Sequence, residues 1–275
     1  MRLEKWPNRR DQIAARIHET AVVDHGVRIG EDVEIGPYCI IGPGVEIGSR
    51  SRLINSVTVM GHTKIGCDNT IFPYCVLGAP PQDLKYLGGD TRLEIGDDNV
   101  IREHVTMNVG TESGGGVTRV GSGNLVMCAA HIAHDCSVGD KCIISNQVLL
   151  AGHIHINDRV VLSGAVAIHH FVTVGEYAFV GGLSRIVQDV PPFLMTEGNP
   201  ARSRAVNVVG LRRAGLDDEA IKALQAAFRT VFRGGVSVGE ALDTLEADSP
   251  GKEVRRLVEF MRNRMAGKKG RAMQP

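Results

Sequence analysis

A parallel β-helix followed by a small α-helical domain is the fold this sequence predicts, on two observations. An aliphatic residue recurs every six positions through most of residues 29–186, and the recurrence stops just before Pro191-Pro192, where the apolar spacing turns helical. The first series runs Ile29, Ile35, Ile41, Ile47, Leu53, Val59, Ile65, Ile71, Leu77, then misses at Asp83 and Gly89, and resumes at Ile95, Ile101, Met107. The second runs Val120, Val126, Ile132, Val138, Ile144, Leu150, Ile156, Leu162, Ile168, Val174, Val180, Ile186. A six-residue period means short strands joined by tight turns, the signature of a β-helix. Three hexapeptides close one triangular coil, so residues 18 apart stack at the ~4.8 Å spacing of neighbouring strands.

The position four after the aliphatic is usually small or branched, as at Val33, Cys39, Val45, Cys75, Ala130, Cys136, Cys142 and Val148. Four of the six cysteines therefore read as small core fillers. With no CxxC pair, the cysteines form neither a zinc nor a disulfide framework. Glycine often follows the aliphatic, as at Gly30, Gly36 and Gly48, where a corner is expected to need a permissive backbone.

Two segments interrupt the coil. Residues 79–94 are polar and rich in Pro and Gly but keep the phase, whereas 108–118 shift it by one. Both read as loops thrown out of a rigid scaffold. Such loops carry function more often than not, the bland alternative being a tolerated insertion. The chain thus divides into an N-terminal extension (1–16, with the single tryptophan, Trp6), a β-helix (17–190) and a C-terminal helical domain (191–275). In the last, Asp217 is placed to cap a helix carrying Ile221, Leu224, Phe228 and Val231 on one face. A second helix is expected around Val254, Leu257, Val258 and Met261, and the domain would cover the open end of the coil.

A formal net charge of zero and the absence of a long apolar run argue against nucleic acid and against stable membrane insertion. The first residues lack the apolar core of a secretory signal, so a cytoplasmic location is expected. The last 24 residues carry eight Lys/Arg. Such a run is usually a solvated face, and it also suits an acidic carrier protein.

Chemistry concentrates in two coils. His131, His134, His153, His155, His169 and His170 fall there, and His134, Gly152 and His170 are successive steps of 18. Several imidazoles on one edge suit a general base or a metal site. Asp135 is the nearest carboxylate in sequence to His134. Any one of these histidines alone reads more readily as a solvated turn residue; the group reads as a site. A second column, Asn146, Gly164, Gly182, leaves a strip without side chains, which suits a linear apolar group or merely serves the turns.

HTKIG at 62–66, PQDLKY at 81–86, IRE at 101–103, GGGVTRVG at 114–121, AHIAHDC at 130–136, LAGH at 150–153, QDVPP at 188–192 and GLRR at 210–213 together resemble the UDP-N-acetylglucosamine O-acyltransferases. These enzymes catalyse the first step of lipid A synthesis. The resemblance implies a left-handed coil, which the usual right-handed crossover rule would not give, and a homotrimer with sites between subunits. It implies transfer of an (R)-3-hydroxyacyl chain from acyl carrier protein to the sugar 3-hydroxyl, the carrier thioester being a substrate and no cofactor or metal being needed.

On that resemblance His134 is the general base, Asp135 orients it, and the Gly152 N–H faces the oxyanion. Asp83, Lys85, His131, His153 and His169 bind substrate, Asn207 and Arg213 lie nearer the nucleotide and carrier, and Gly164 and Gly182 line an acyl groove measured at Gly182. The chain departs from the family pattern at Asn108, where many members have histidine, and at Val209 and Ala214, which stand for Glu and Arg. Three readings compete: a 3-amino UDP-sugar acceptor giving an amide, a zinc site like that of the γ-class carbonic anhydrases, and a non-catalytic trimeric scaffold. The later N-acyltransferase of the same pathway carries a separate N-terminal domain, which the residues before the repeat are too few to supply.

Overall fold

The computed structural model describes residues 14–248 and 250–267. Trp6, most of the expected 1–16 extension and Lys268, Lys269 and Arg271 of the basic run lie outside them. From residue 16 to residue 186 the chain winds into three parallel sheets of two- to four-residue strands, one sheet per side of a triangular coil. This is the left-handed parallel β-helix. Arg16–Ile17 pairs with Glu34–Ile35, Val22–Val23 with Ile40–Ile41, and Arg28–Ile29 with Glu46–Ile47, each a step of 18.

In the regular two-residue strands the second residue points inward. From Ile35 to Ile186 these aliphatics are buried and form one continuous core with Val33, Cys39, Val57 and Val148. Each buried Ile or Leu contributes roughly 1.5–3 kcal/mol, and the period of six places one on every side of every coil. Cys39, Cys75, Cys136 and Cys142 are buried, and all six cysteines are free.

The corner glycines have a different cause from the expected one. Gly30, Gly36 and Gly48 are not among the positive-φ residues. They are glycines because a Cβ at Gly36 would lie 1.7 Å from the Ile54 carbonyl oxygen, and one at Gly48 2.5 Å from Gly66. The left-handed backbone falls three residues after the inward aliphatic, mostly on non-glycine residues such as Asp32, Tyr38, Arg50, Ser56, Asp135 and His153. Such a residue costs about 1 kcal/mol or more, and the stacked coils on either side hold it in place.

The two excursions are tighter than the expected 79–94 and 108–118. Arg92–Ile95 is a strand paired with His62–Ile65, and Val117–Val120 pairs with Arg92–Ile95. The outward charges Arg92 and Glu94 disguised the first of these strands as loop, and the one-residue phase shift hid Val117 and Thr118 of the second. The pairing steps of 30 and 25 in place of 18 account for the phases: the first insertion is two hexapeptides long, the second one residue more than a hexapeptide.

Past Pro191-Pro192 the chain is not yet helical. Leu194–Gly198 adds in parallel to Phe179–Val180, then turns back antiparallel through Ala201–Val206. Among the described residues four helices follow: α1 (Val208–Arg213), α2 (Asp218–Arg233), α3 (Val238–Ala247) and α4 (Lys252–Met265). The Asp217 carboxylate caps α2 by accepting the Ala220 N–H at 2.7 Å, and Ser237 with Glu240 forms a capping box on α3. Ile221, Leu224, Phe228, Val254, Leu257 and Val258 share a second core with Phe193 and Leu194 of the hairpin. Described members of the basic run tie α4 down: Arg256 pairs with Glu176, Arg264 donates to Gln188, and Arg262 pairs with Asp243 and Glu246.

Candidate active site

His134 and Asp135 occupy a corner between the second and third sheets, after the strand His131–Ile132 and before Ser137–Val138. On a straight strand adjacent side chains diverge. Here Asp135 is left-handed (φ 59), and the two side chains converge so that His134 Nδ1 lies 2.8 Å from Asp135 Oδ2. A buried carboxylate is an acceptor, so in the neutral form of the ring Nδ1 carries the hydrogen and Nε2 the lone pair. The His134 side chain is 9% exposed and that of Asp135 1%. Asp135 also accepts from the Thr111 N–H at 2.9 Å and the Thr111 hydroxyl at 2.6 Å, while its own N–H donates to Thr118 Oγ1 at 2.8 Å.

The next coil puts Gly152 against the His134 ring, where a Cβ would sit 2.4 Å from Cε1. Gly152 is buried, and its backbone N–H has no acceptor among the described residues. His153 lies edge-on to His134 with centroids 5.1 Å apart, and stacks on Phe171 at 4.6 Å. His131 contacts Thr106 Oγ1 through Nδ1 at 2.7 Å. From the first excursion, Asp83 brings a carboxylate oxygen to 4.0 Å from His134 Nε2. The Lys85 N–H, foremost, holds the Asp83 carboxyl below its ordinary value.

A groove of about 440 Å³ runs over this corner, lined by His131, His134, Gly152, His169, Leu149 and Ala167 among others. Gly164 and Gly182 stack at the neighbouring corner, a Gly182 Cβ lying 3.3 Å from the Gly164 carbonyl oxygen. The strand Ala167–Ile168 joins the Gly164 corner to that of His170, so the apolar outward face of the second sheet links the column to the histidines.

Asn207 and Arg213 do not line the groove within one chain. Asn207 caps α1, accepting the Gly210 N–H and donating to the Tyr177 carbonyl, and Arg213 is exposed at the end of α1. Sequence reasoning passed over Thr111, Thr118 and Phe171. The two threonines serve Asp135 from the 108–118 segment, whose irregular spacing hides which residue faces the corner.

Burial pushes the His131 imidazole below its ordinary value of 6.5, with the neighbouring His134 charge adding to it. Burial also lowers His153, against the opposing charge of Asp135. Between 6.5 and the lowered values the unfolded chain binds protons that the folded chain refuses, so stability falls as pH drops through that window. Thermal unfolding at pH about 7.5 and about 5.5 should show this loss. A variant carrying His131→Gln and His153→Gln should lose part of the slope, and an unchanged slope contradicts the assignment.

Comparison with known proteins decides the family. Residues 189–271 match the second-domain model of UDP N-acetylglucosamine O-acyltransferase, and residues 14–49 match the bacterial transferase hexapeptide model. LpxA of Acinetobacter baumannii superposes with a TM-score of 0.86 at 43% identity, over 88% of this chain and 95% of that one. The chain belongs to the UDP-N-acetylglucosamine acyltransferase family. The Bacteroides fragilis member is similar at 39% identity and a TM-score of 0.88, covering 90% of this chain and 97% of its own. The Arabidopsis enzyme follows at 36% and 0.82, covering 92% and 98%.

In this acyltransferase Asn108, Val209 and Ala214, the positions expected to depart from the family pattern, sit outside the groove lining. Asn108 donates to the Ala79 and Pro80 carbonyls at the root of the first excursion, and its Oδ1 is buried with no partner among the described residues. Val209 is exposed on α1, and Ala214 ends that helix. The zinc reading finds two histidines and one carboxylate, His134, Asp135 and His153, in place of three histidines. Two tetrahedral zinc ligands stand about 3.4 Å apart, whereas the His134–Asp135 pair at 2.8 Å has the length of a charge-assisted hydrogen bond.

Proposed function

We propose that the protein transfers an (R)-3-hydroxyacyl chain from acyl carrier protein to the 3-hydroxyl of UDP-N-acetylglucosamine, with His134 as general base. The observation that carries this reading is the His134–Asp135 pair, its Nε2 turned into a groove beside an unpartnered backbone N–H. Family membership supports the acceptor, since the relatives are UDP-N-acetylglucosamine acyltransferases.

His134 Nε2 takes the proton of the sugar 3-hydroxyl as its oxygen attacks the thioester carbonyl. The imidazolium that forms is stabilised by Asp135 through Nδ1. The tetrahedral oxyanion faces the Gly152 N–H. Its collapse forms the ester and breaks the C–S bond, and the proton returns from His134 to the carrier thiolate. Asp83, Lys85, His131, His153 and His169 hold the sugar nucleotide around that corner. Asn207 and Arg213 act toward the nucleotide and carrier of a site completed by a second subunit of a homotrimer. Their absence from the groove of one chain supports that arrangement, as do the exposed Leu84, Leu87, Phe171 and Leu183. Among the described residues no helix is long and apolar enough to cross a membrane, which suits a cytoplasmic reaction between soluble substrates.

The test is turnover with UDP-N-acetylglucosamine and with its 3-amino analogue, each against a panel of 3-hydroxyacyl carrier proteins. Ester formed from the hydroxyl sugar is the expected product. Amide formed only from the amino sugar moves the acceptor, and no product with any pair sinks the reading.

The Gly182 strip adds a prediction about chain length. A side chain there occupies the open column against Gly164, and each methylene displaced from an apolar groove forfeits about 0.8 kcal/mol. Gly182→Met is expected to move the preferred donor to a shorter chain and to slow the longest donor by about 10-fold or more, the loss of about two methylenes of contact. An unchanged preference over the donor panel removes Gly182 from the groove.

A further inference from the structure

We propose that Thr111 is a positioning residue for the transfer, and that the second excursion of the coil exists to deliver it. The inference rests on the reading of His134 as the base. The segment between the strands Thr106–Asn108 and Val117–Val120 bears none of the groove's lining. Its one short 3₁₀ turn, Glu112–Gly114, is capped by Thr111, whose hydroxyl oxygen accepts the Gly114 N–H at 3.1 Å.

The same residue reaches both oxygens of Asp135. The Thr111 N–H donates to Oδ1 at 2.9 Å, and its hydroxyl donates its only hydrogen to Oδ2 at 2.6 Å. Oδ2 is the oxygen that meets His134 Nδ1. Thr111 is 2% exposed, so water does not replace it. One residue thus fixes the plane of the carboxylate, and with it the tautomer and aim of the imidazole. The fit is close: a Cβ on Gly114 would fall 2.1 Å from the Asp135 carboxyl carbon. The turn closes over the carboxylate with room for nothing larger than glycine.

Thr111 touches neither substrate nor reacting atoms in this account, so its effect passes through Asp135. Partners that orient a metal-bound histidine are worth about 10- to 100-fold, and Thr111 orients an imidazole in the same way through its carboxylate. Thr111→Val keeps the backbone N–H and the shape but removes the hydroxyl. It is expected to lower kcat by about 10- to 100-fold while KM for UDP-N-acetylglucosamine stays within about threefold, because binding groups are untouched. Thr111→Ser should restore most of kcat. On an Asp135→Asn background Thr111→Val should cost less than about threefold more, since groups acting as one unit are not additive.

A parent that turns over while His134→Ala does not secures the underlying reading; a silent parent overturns that reading instead. Given an active parent, the inference alone falls if Thr111→Val matches the parent, if Thr111→Ser is as slow as Thr111→Val, or if the losses from Thr111→Val and Asp135→Asn multiply. Should Thr111→Val not fold, Thr111→Ala takes its place in the same three comparisons.

Discussion

His134→Ala is expected to lower kcat/KM by about 10³-fold or more, within the range for loss of a positioned general base, with little change in unfolding temperature. The imidazole sits at a corner outside the aliphatic column, so its removal opens no hole in the continuous core. Asp135 keeps both bonds from Thr111, so the carboxylate is not stranded without donors. Loss of activity without loss of stability separates this account from the scaffold reading, in which the substitution changes nothing. Steady-state kinetics beside thermal unfolding of the same preparation decides it. Activity within about tenfold of the parent would remove His134 from the base role.

Gly152→Ala should be nearly as damaging, for a steric reason. The added methyl would lie 2.4 Å from His134 Cε1, 2.7 Å from Nε2 and 3.0 Å from Nδ1, so the ring must move. It would also crowd the backbone N–H assigned to the oxyanion. A 1 Å misplacement costs about 10²-fold, and weakening an oxyanion donor costs about 10²–10³-fold; a loss of about 10³-fold in kcat is expected. The backbone of Gly152 is not left-handed, so alanine brings no conformational strain and the fold should survive. Kinetics at saturating sugar reads the effect. A loss of less than about threefold would mean that the ring and the N–H are not where the reaction happens.

Much of this molecule was readable from spacing because a β-helix is nearly one-dimensional. Residues 18 apart must stack, so the column His134, Gly152, His170 and the column Asn146, Gly164, Gly182 followed from counting. The same arithmetic fails wherever the count is broken. Arg92–Ile95 looked like loop because its outward residues are charged. The two residues that hold Asp135, Thr111 and Thr118, lie in and beside an excursion of irregular length, where no period says which side chain turns inward. The hairpin at Leu194–Val206 was missed because Pro191-Pro192 reads as an end, whereas the chain steps past it and adds once more to the first sheet. Handedness, acceptor and donor were never written in the spacing and came from family resemblance.

Direct acyl transfer from carrier to sugar is tested by following both products at once. The purified protein is given 3-hydroxyacyl carrier protein with and without UDP-N-acetylglucosamine, and free carrier thiol and sugar ester are measured together. The account predicts one thiol released per ester formed, none without the sugar, no acyl group left on the protein, and silence from His134→Ala. Thiol released without sugar, an acylated protein, or no ester with any donor would contradict it.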